Sequence, residues 1–261
     1  MAANDGAASP PLANRVILIT GANGGLGEAV ARASAAAGAN VVLLGRRVPR
    51  LTRLHDELEA AGCRTPSIYP MDLSGAVPED YDVLARAIAD EYGRLDGIVH
   101  CAAELKGLSS LQNLPLEDWF TGLHVNLTAP FLLTRACLPL LREREDACVL
   151  FALDDAQRTA RAFWGPYGVA KHALRGLVSI LADELENSPI RVHGVEPGPM
   201  RSALRARAFF AEDASTLPDP SAYARACVQL LAGTDRAAPR FVTLQPHSTA
   251  PRSLGLATFA G

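Results

Sequence analysis

The stretch from Thr20 to Gly27 constrains the fold of this chain more than any other part of its sequence. It reads TGANGGLG, follows a short aliphatic run and opens a segment of helical period. Gly21 permits a tight turn, Gly25 lets the backbone approach a pyrophosphate, and Gly27 allows a helix to pack closely on a sheet. This context favours a dinucleotide site over a merely structural glycine turn. The loop residues predicted to contact the dinucleotide are Gly21, Asn23, Gly25, Leu26 and Gly27.

Short aliphatic runs alternate with helical segments along nearly the whole chain, a pattern typical of βαβ units around a parallel sheet. Because the strands are continuously apolar, we expect the sheet to be covered on both faces. The sequence therefore predicts a Rossmann-type three-layer α/β/α sandwich with a doubly wound parallel sheet of about seven strands. The predicted strands are Arg15–Thr20, Asn40–Gly45, Ser67–Tyr69, Gly97–Cys101, Ala147–Leu153, Ile190–Val195 and Arg240–Leu244. The predicted helices are Gly25–Ala37, Pro49–Ala61, Glu79–Tyr92, Leu116–Arg142, Trp164–Asn187 and Ser221–Leu231.

The domain organisation predicted from this pattern is simple. No internal repeat or low-complexity linker divides the 261 residues, so we expect one domain over residues 15–250. Residues 1–14 are expected to form a disordered N-terminal tail and residues 251–261 a C-terminal tail. The segment from about 200 to 220 breaks the alternation, and it is either a flap over a substrate or a plain surface excursion.

Composition excludes several classes of function. A net charge of −3 gives no electrostatic reason to expect a nucleic acid partner. No apolar stretch has the length of about 18 residues that a membrane span needs, and the N-terminus is not a secretory signal. The five cysteines have neither CxxC pairing nor metal-ligand spacing, so we expect reduced thiols, no metal site and a cytoplasmic protein.

The end of the second predicted strand indicates which dinucleotide is bound. An acidic residue is expected there if the ribose carries a free 2′-hydroxyl, but the sequence has Gly45, Arg46 and Arg47. A glycine removes the carboxylate that would repel a 2′-phosphate, and an arginine supplies a planar donor for it. NADP(H) is therefore favoured over NAD(H), the alternative being two solvated arginines at a strand end. Asp72 and Leu73, after the third strand, are expected to border the adenine.

Tyr167 and Lys171 are four residues apart at the start of a predicted helix, which places both on one face. A cation beside a phenol favours the phenolate and lowers a pKa that is ordinarily about 10. The tyrosine then becomes a usable proton donor or acceptor near neutrality. A surface pair at this spacing also occurs by chance.

These features, taken together with Asn126 in the long helix and Pro197-Gly198 after the sixth strand, resemble the short-chain dehydrogenase/reductase family. The resemblance covers Asn14 to about Pro246. Within the family it is nearest to the YciK-like oxidoreductases, through the stretches Leu44–Arg46, Arg94–Gly97, Trp164–Tyr167 and Arg201–Ala206.

The resemblance implies a role for each matching residue. Tyr167 would donate a proton to a carbonyl oxygen, and Lys171 would bind the nicotinamide ribose and tune the tyrosine. Asn126 would hold a water that leads to Lys171, although a satisfied buried helix amide is the alternative. The resemblance also implies a small-molecule carbonyl or alcohol substrate and a homodimer or homotetramer formed through the two long helices. Further cofactor contacts that it implies are Cys101, Ala102, Pro197, Gly198 and Ser202.

Two departures from the family pattern fall at the active site. Asp154 occupies the position, thirteen residues before the tyrosine, where the family has a serine that polarises the substrate carbonyl. The fourth-strand motif, Asn-Ala-Gly in the family, is Cys101-Ala102-Ala103 here. Ala103 adds a methyl where the family brings backbone close to the cofactor, and Cys101 cannot replace an amide's paired donor and acceptor.

The aspartate bears directly on catalysis, because hydride delivery to a ketone builds negative charge on oxygen. At about 4 Å and an effective dielectric of about 20, an ionised Asp154 would oppose that charge by about 4 kcal/mol, or roughly a thousandfold in rate. A protonated Asp154 would instead donate a hydrogen bond. The sequence thus predicts an NADP(H)-dependent oxidoreductase that uses Tyr167. The alternatives are a nucleotide-binding sensor or assembly protein without turnover, and a chain that binds no dinucleotide.

Overall fold

One sheet runs through the residues that the computed structural model describes, which are 9–235, 237–246 and 257–258. Its strand order is β3-β2-β1-β4-β5-β6-β7-β8. The seven strands β1 to β7 are parallel, as predicted, and β8 pairs antiparallel with β7. The strands are β1 Val16–Thr20, β2 Asn40–Gly45, β3 Ser67–Pro70, β4 Gly97–His100, β5 Ala147–Ala152, β6 Ile190–Pro197, β7 Phe241–Leu244 and β8 Ala257–Thr258.

Helices cover both faces of the sheet, which confirms the three-layer sandwich. Alternate strand residues point to opposite faces, so Ile17 and Ile19 of β1 join one apolar core while Val16 and Leu18 join the other. Helices α1, α2 and α9 complete the first core, and α3, α5 and α7 complete the second. The helices are α1 Gly25–Ala36, α2 Val48–Ala60, α3 Pro78–Tyr92, α4 Leu116–Leu123, α5 Ala129–Arg142, α6 Ala156–Thr159, α7 Gly165–Glu184, α8 Ala203–Ala208 and α9 Ser221–Ala232.

The order of the strands in the sheet determines where the site lies. The chain builds outward from β1 to β3 and then returns to lay β4 on the other side of β1. At such a reversal the two flanking connections leave in opposite directions, and a crevice opens at the carboxyl ends of the strands. The glycine loop follows β1 at this end, so it borders the crevice.

The long helix predicted over Leu116–Arg142 is interrupted. A π-helical turn, His124–Thr128, separates α4 from α5. Such turns insert one residue into the helical ladder and are frequent at functional sites. The interruption rotates the side chains that follow it, and Asn126 lies within it.

The predicted tails and flap also differ in detail from the structure. Leu12, within the predicted N-terminal tail, is fully buried and its N–H donates to the carbonyl oxygen of Ala37, so ordered chain begins before position 15. Residues 1–8 lie outside the described part. Of the predicted C-terminal tail only β8 is described. The segment from 200 to 220 contains α8 and a 3-10 turn at Ala214–Thr216. Among the described helices, none combines the length and apolar character that crossing a bilayer requires.

Candidate active site

A cavity of about 300 Å³ lies at the carboxyl ends of the central strands. It extends from the glycine loop to the start of α7 and is closed on one side by α8. Most of the residues predicted to form the site line it, but Gly27 and Asn126 lie behind its wall. The predicted residues that line it are Gly21, Asn23, Gly25, Leu26, Arg46, Arg47, Asp72, Leu73, Cys101, Ala102, Asp154, Tyr167, Lys171, Pro197, Gly198 and Ser202.

The glycine loop has the conformation that the motif predicts. Gly21 has a φ of +66°, and a Cβ there would lie 2.8 Å from the backbone of Ala102. Gly25 also has a positive φ, +51°. A Cβ on Gly27 would overlap the carbonyl oxygen of Gly21, so this glycine lets α1 pack against its own loop. Glycine is required at these positions because of backbone geometry and close approach.

Two observations indicate that the loop fits a phosphate-bearing ligand. Gly24, Gly25 and Leu26, at the start of α1, line the cavity, and a helix N-terminus attracts anions. The buried side-chain nitrogen of Asn23 has no hydrogen-bond partner among the described residues. A Cβ on Gly45 would lie 3.2 Å from that amide, so the glycine at the end of β2 also makes room for it.

Arginines surround the end of β2. Arg46, Arg47 and Arg50 line the cavity there. Asp72 lies opposite, where its carboxylate accepts hydrogen bonds from the N–H of Ser74 at 3.0 Å and from its hydroxyl at 2.8 Å. The Ser74 backbone hydrogen bond lowers the pKa of Asp72, with a smaller contribution from the charge of Arg46. This end of the cavity therefore offers several cations and one hydrogen-bonded carboxylate.

Glu104 is a buried acid that the sequence reasoning missed. Its carboxylate lies 3.3 Å from the guanidinium of Arg46 and 3.7 Å from that of Arg207 on α8. It directly follows the Cys101–Ala103 motif, so its place in the sequence would have been a sufficient signal. Glu104 ties the proposed phosphate arginine to the helix that closes the cavity.

Asn126 is fully engaged with the backbone. Its side-chain oxygen accepts from the N–H of Glu104 at 3.0 Å, and its nitrogen donates to the carbonyl oxygens of Glu104 and Gly122, both at 2.8 Å. The amide nitrogen has thus used both of its hydrogens. These hydrogen bonds fix the loop after β4 to the π-helical turn, and the contact of Asn126 with a water that leads to Lys171 stays a prediction.

Tyr167 and Lys171 occupy the first two turns of α7, as predicted. Both side chains are buried. The Lys171 ammonium donates to the carbonyl oxygen of Ala152, at the end of β5, at 2.6 Å. Its nitrogen lies 5.6 Å from the centre of the Tyr167 ring, a cation–π contact. The structure therefore brings the predicted pair together at the floor of the cavity.

Asp154 faces the tyrosine directly. Its Oδ2 accepts a hydrogen bond from the Tyr167 hydroxyl at 2.7 Å. Its Oδ1 accepts from the N–H of Asp155 at 2.7 Å and from the guanidinium of Arg158. All three partners are hydrogen-bond donors, so both oxygens of Asp154 serve as acceptors in this arrangement.

Arg158 was also missed by the sequence reasoning, although its position four residues after Asp154 is the spacing of a helical ion pair. It lies on α6, a single turn that the sequence pattern did not predict. Its guanidinium is 5.9 Å from the centre of the Trp164 ring and 6.0 Å from that of Phe209. The cation is therefore held between two aromatic rings on one side and the carboxylate on the other.

The charges at this end shift several pKa values. Burial and then the neighbouring carboxylate of Asp154 raise the pKa of Tyr167 well above its ordinary value. Burial lowers the pKa of Lys171, while Asp154 opposes that shift. The pKa of Tyr167 is therefore not lowered, because burial and the carboxylate of Asp154 outweigh the opposing charge of Arg158. Burial also raises the pKa of the Cys101 thiol to about 12, so this residue lines the cavity as a thiol.

Comparison with known proteins agrees with this geometry. Residues 15–213 match the family model described as short chain dehydrogenase. The uncharacterized oxidoreductase YciK of Escherichia coli is 36% identical over 210 residues, which cover 80% of this chain and 83% of that protein.

Solved structures are similar as well. A protein from Pseudomonas syringae, described as a short-chain dehydrogenase, superposes with a TM-score of 0.86 at 40% identity, covering 91% of this chain and 96% of the other. A short-chain dehydrogenase from Shigella flexneri, complexed with NADP, gives a TM-score of 0.86 at 33% identity, covering 90% and 98%. The resemblance to the YciK-like branch is thereby confirmed, and the chain belongs to the short-chain dehydrogenase family.

Proposed function

We propose that this chain is an NADP(H)-dependent oxidoreductase that interconverts a carbonyl and an alcohol by hydride transfer, with Tyr167 as general acid and base. The observation that carries the proposal is the pairing of two features in one cavity. The glycine loop lies at one end, and the buried Tyr167 hydroxyl and Lys171 ammonium lie at the other.

NADP(H) is the cofactor that the arginines support. Arg46, Arg47 and Arg50 offer donors for a 2′-phosphate, and Gly45 leaves no carboxylate to repel it. The Shigella flexneri relative is complexed with NADP. When bound, the nicotinamide supplies or accepts the hydride. Asp72 and Leu73 would border the adenine, while Cys101, Ala102, Pro197, Gly198 and Ser202 would contact the rest of the cofactor.

Tyr167 suits the direction of reduction. Because its pKa is raised, its hydroxyl keeps its proton at neutral pH and can donate it to a substrate oxygen. In the structure that proton is directed at Asp154, so the hydroxyl must turn toward the substrate before it donates. Lys171 holds a positive charge beneath the ring and would bind the nicotinamide ribose.

Self-association is a second part of the proposal. Exposed apolar side chains on α4, α5 and α7 include Phe120, Phe131, Val169 and Ile180, of which Ile180 is 59% exposed. Exposed apolar side chains on neighbouring helices are suited to an interaction surface. It supports a homodimer or homotetramer formed through the two long helical segments. The five cysteines are free, which suits a reducing compartment such as the cytoplasm.

The test is NADPH consumption over a panel of carbonyl compounds. The wild-type protein should consume NADPH with at least one of them. Tyr167→Phe should lower kcat by about a hundredfold or more, because general acid catalysis contributes at least that factor. Tyr92→Phe is the matched control, since Tyr92 lies on α3 away from the cavity. Activity that survives in Tyr167→Phe would refute the role given to the tyrosine.

A nucleotide-binding protein without turnover is the second candidate. It is favoured by one observation, the hydrogen bond that commits the Tyr167 hydroxyl to Asp154. Tight NADPH binding without turnover, unchanged in Asp154→Ser, would support this candidate. Turnover that appears only in Asp154→Ser would identify a disabled enzyme. The absence of any thermal shift with NADPH would instead indicate a chain that binds no dinucleotide.

A further inference from the structure

At the end of the cavity around Asp154, Tyr167 and Lys171, called the reaction end here, these three side chains are hydrogen-bonded to protein groups. Substrate oxygen that gains negative charge needs donors around it. Lys171 donates to Ala152, Tyr167 donates to Asp154, and the position of the family serine holds the aspartate itself. A carbonyl oxygen placed beside Tyr167 would therefore meet an acceptor where the rest of the family offers a donor.

The two oxygens of Asp154 differ in their remaining capacity to accept hydrogen bonds. Oδ1 accepts from both Arg158 and the N–H of Asp155. Among the described residues, Oδ2 accepts from Tyr167 alone, so one of its lone pairs remains for a donor from the cavity. The free acceptor is thus on the oxygen nearest to the proton-donating hydroxyl.

Arg158 leaves Oδ2 of Asp154 available as an acceptor. Its guanidinium binds the far oxygen of Asp154 and lies against Trp164 and Phe209. Its Nε is buried and has no hydrogen-bond partner among the described residues. The arginine therefore orients the carboxylate and balances part of its charge, while Oδ2 presents an acceptor to the substrate.

We propose that the preferred acceptor at this site is a protonated carbon–nitrogen double bond, an iminium ion, whose N–H donates to Asp154 Oδ2. This rests on the proposed function, because the reductant is the same bound NADPH. An iminium nitrogen carries the hydrogen that a carbonyl oxygen lacks. Hydride addition removes its positive charge, whereas addition to a ketone creates a negative charge beside the carboxylate.

For a substrate that is already protonated, the chemistry balances without a phenolate. A hydride with its electron pair leaves reduced nicotinamide and forms the new C–H bond at the iminium carbon. The π electrons of the C=N bond move to nitrogen, giving a neutral amine that keeps its N–H, and the nicotinamide becomes the oxidised cation. A neutral imine would take the proton of the Tyr167 hydroxyl as the hydride arrives, and the phenolate left behind would regain a proton from solvent.

The walls of the cavity suggest the shape of the substrate. Trp164 and Phe209 line it close to Asp154, with ring centres 6.1 Å apart. Aromatic faces stack on planar rings and attract cations. A flat cyclic imine, neutral or protonated, fits these walls better than a flexible chain does.

Two probes of the same two-ring skeleton test the inference: dihydroisoquinoline, a cyclic imine, and tetralone, the corresponding ketone. With NADPH and the wild-type protein, kcat/KM should be at least about tenfold higher for the imine. Asp154→Ser should reverse the ratio, lowering the rate with the imine and raising it with the ketone. Asp154→Asn keeps the size of the side chain and should abolish the preference, which guards against a serine variant that folds poorly.

A binding measurement supplies a readout independent of turnover. The protonated form of the amine product, tetrahydroisoquinolinium, should bind the wild-type protein about tenfold more tightly than Asp154→Asn, as measured by calorimetry. A higher rate with the ketone in the wild type, with a ratio unchanged in Asp154→Ser, would overturn the iminium inference and leave the proposed function standing. No turnover with either probe or with the wider carbonyl panel would contradict the proposed function itself.

Discussion

The two ends of the cavity are built in different ways. At the phosphate end the shape comes from backbone, through Gly21, Gly25 and Gly27, which leave space that any side chain would fill. At the reaction end the shape comes from side chains that bind one another, chiefly Tyr167 and Asp154. The first end matches its family pattern, whereas the second departs from it.

The difference shows where a family site can change. Positive φ values and close backbone contacts allow few residues other than glycine in the glycine loop, so its sequence is tightly constrained. A hydrogen-bonded cluster can exchange a donor for an acceptor without unfolding, provided that a partner compensates. Here Arg158 forms an ion pair with Asp154. The phosphate end therefore determines which cofactor is bound, while the reaction end determines which chemistry follows.

The largest effect on stability is expected at Asn126, behind the reaction end of the cavity, where a side chain forms hydrogen bonds with buried backbone groups. Asn126→Ala should lower the free energy of unfolding by about 3 kcal/mol, because it leaves the buried N–H and carbonyl of Glu104 without their partner. Chemical denaturation measures this. Asn113→Ala, at an exposed position, is the control and should change stability by less than about 0.5 kcal/mol. Equal effects in the two variants would contradict the structural role of Asn126.

The phosphate end should be intolerant of a single methyl group. Gly27→Ala should destabilise the protein by about 1–3 kcal/mol, because its Cβ overlaps the carbonyl oxygen of Gly21. Gly24→Ala is the matched control for stability, since no atom lies within 4 Å of a Cβ there. Thermal or denaturant unfolding compares the two. A Gly27→Ala variant as stable as the wild type would contradict the conclusion that close backbone contacts shape the phosphate end.

Alkaline pH should lower the stability of the protein through two buried tyrosines, one of them at the reaction end. Tyr81 has a pKa raised to about 12 by burial, and that of Tyr167 is raised by burial and Asp154. A pKa raised in the folded state stabilises below the unfolded value of about 10, and that contribution is lost as pH rises through the folded value. Each tyrosine should cost about 1.4 kcal/mol of unfolding free energy per pH unit above about 10.

Two variants separate the contributions. Tyr81→Phe should remove one of them, and Asp154→Ser should lower the pKa of Tyr167, so that its phenolate absorbance develops at a lower pH. Burial would still keep that pKa above its ordinary value. An unchanged tyrosine titration in Asp154→Ser would argue that burial alone sets the pKa.

Cofactor discrimination tests the phosphate end by charge instead of shape. Arg46→Ala should weaken NADPH binding by about tenfold and leave NADH binding nearly unchanged, because a charge-assisted hydrogen bond to the 2′-phosphate is lost. Fluorescence titration measures both affinities. Arg86→Ala, an exposed arginine on α3, should alter neither. Equal losses for the two nucleotides would contradict the assignment of Arg46 to the 2′-phosphate.

The smallest effect is expected where the two ends meet. Glu104→Gln should tighten NADPH binding by about threefold, because the 3.3 Å ion pair no longer competes with a phosphate for Arg46. The same titration detects this. Weaker binding in this variant would show that Glu104 positions the arginine instead of competing for it.

Much of the fold and part of the site follow from the sequence. The strand runs and the TGANGGLG loop predict the parallel sheet and the place of the cavity, because periodicity and glycine geometry are local properties. The π-helical turn around Asn126 does not follow, since the helical pattern is continuous there and the turn is stabilised by a distant loop. Glu104 and Arg158 lie beside recognised motifs, and only their neighbours in space give them a role.

By itself the sequence determined the sheet, the glycine cradle, the arginines at the end of β2 and the Tyr167–Lys171 pair. These depend on spacing along the chain, which fixes which face or end of an element a residue occupies. Only the tertiary structure decided that the tyrosine proton points at Asp154, that the lysine donates to Ala152, and that Arg158 balances the aspartate. Hydrogen-bond direction and burial arise from residues that are distant in sequence, and they set the direction in which the pKa of Tyr167 moves.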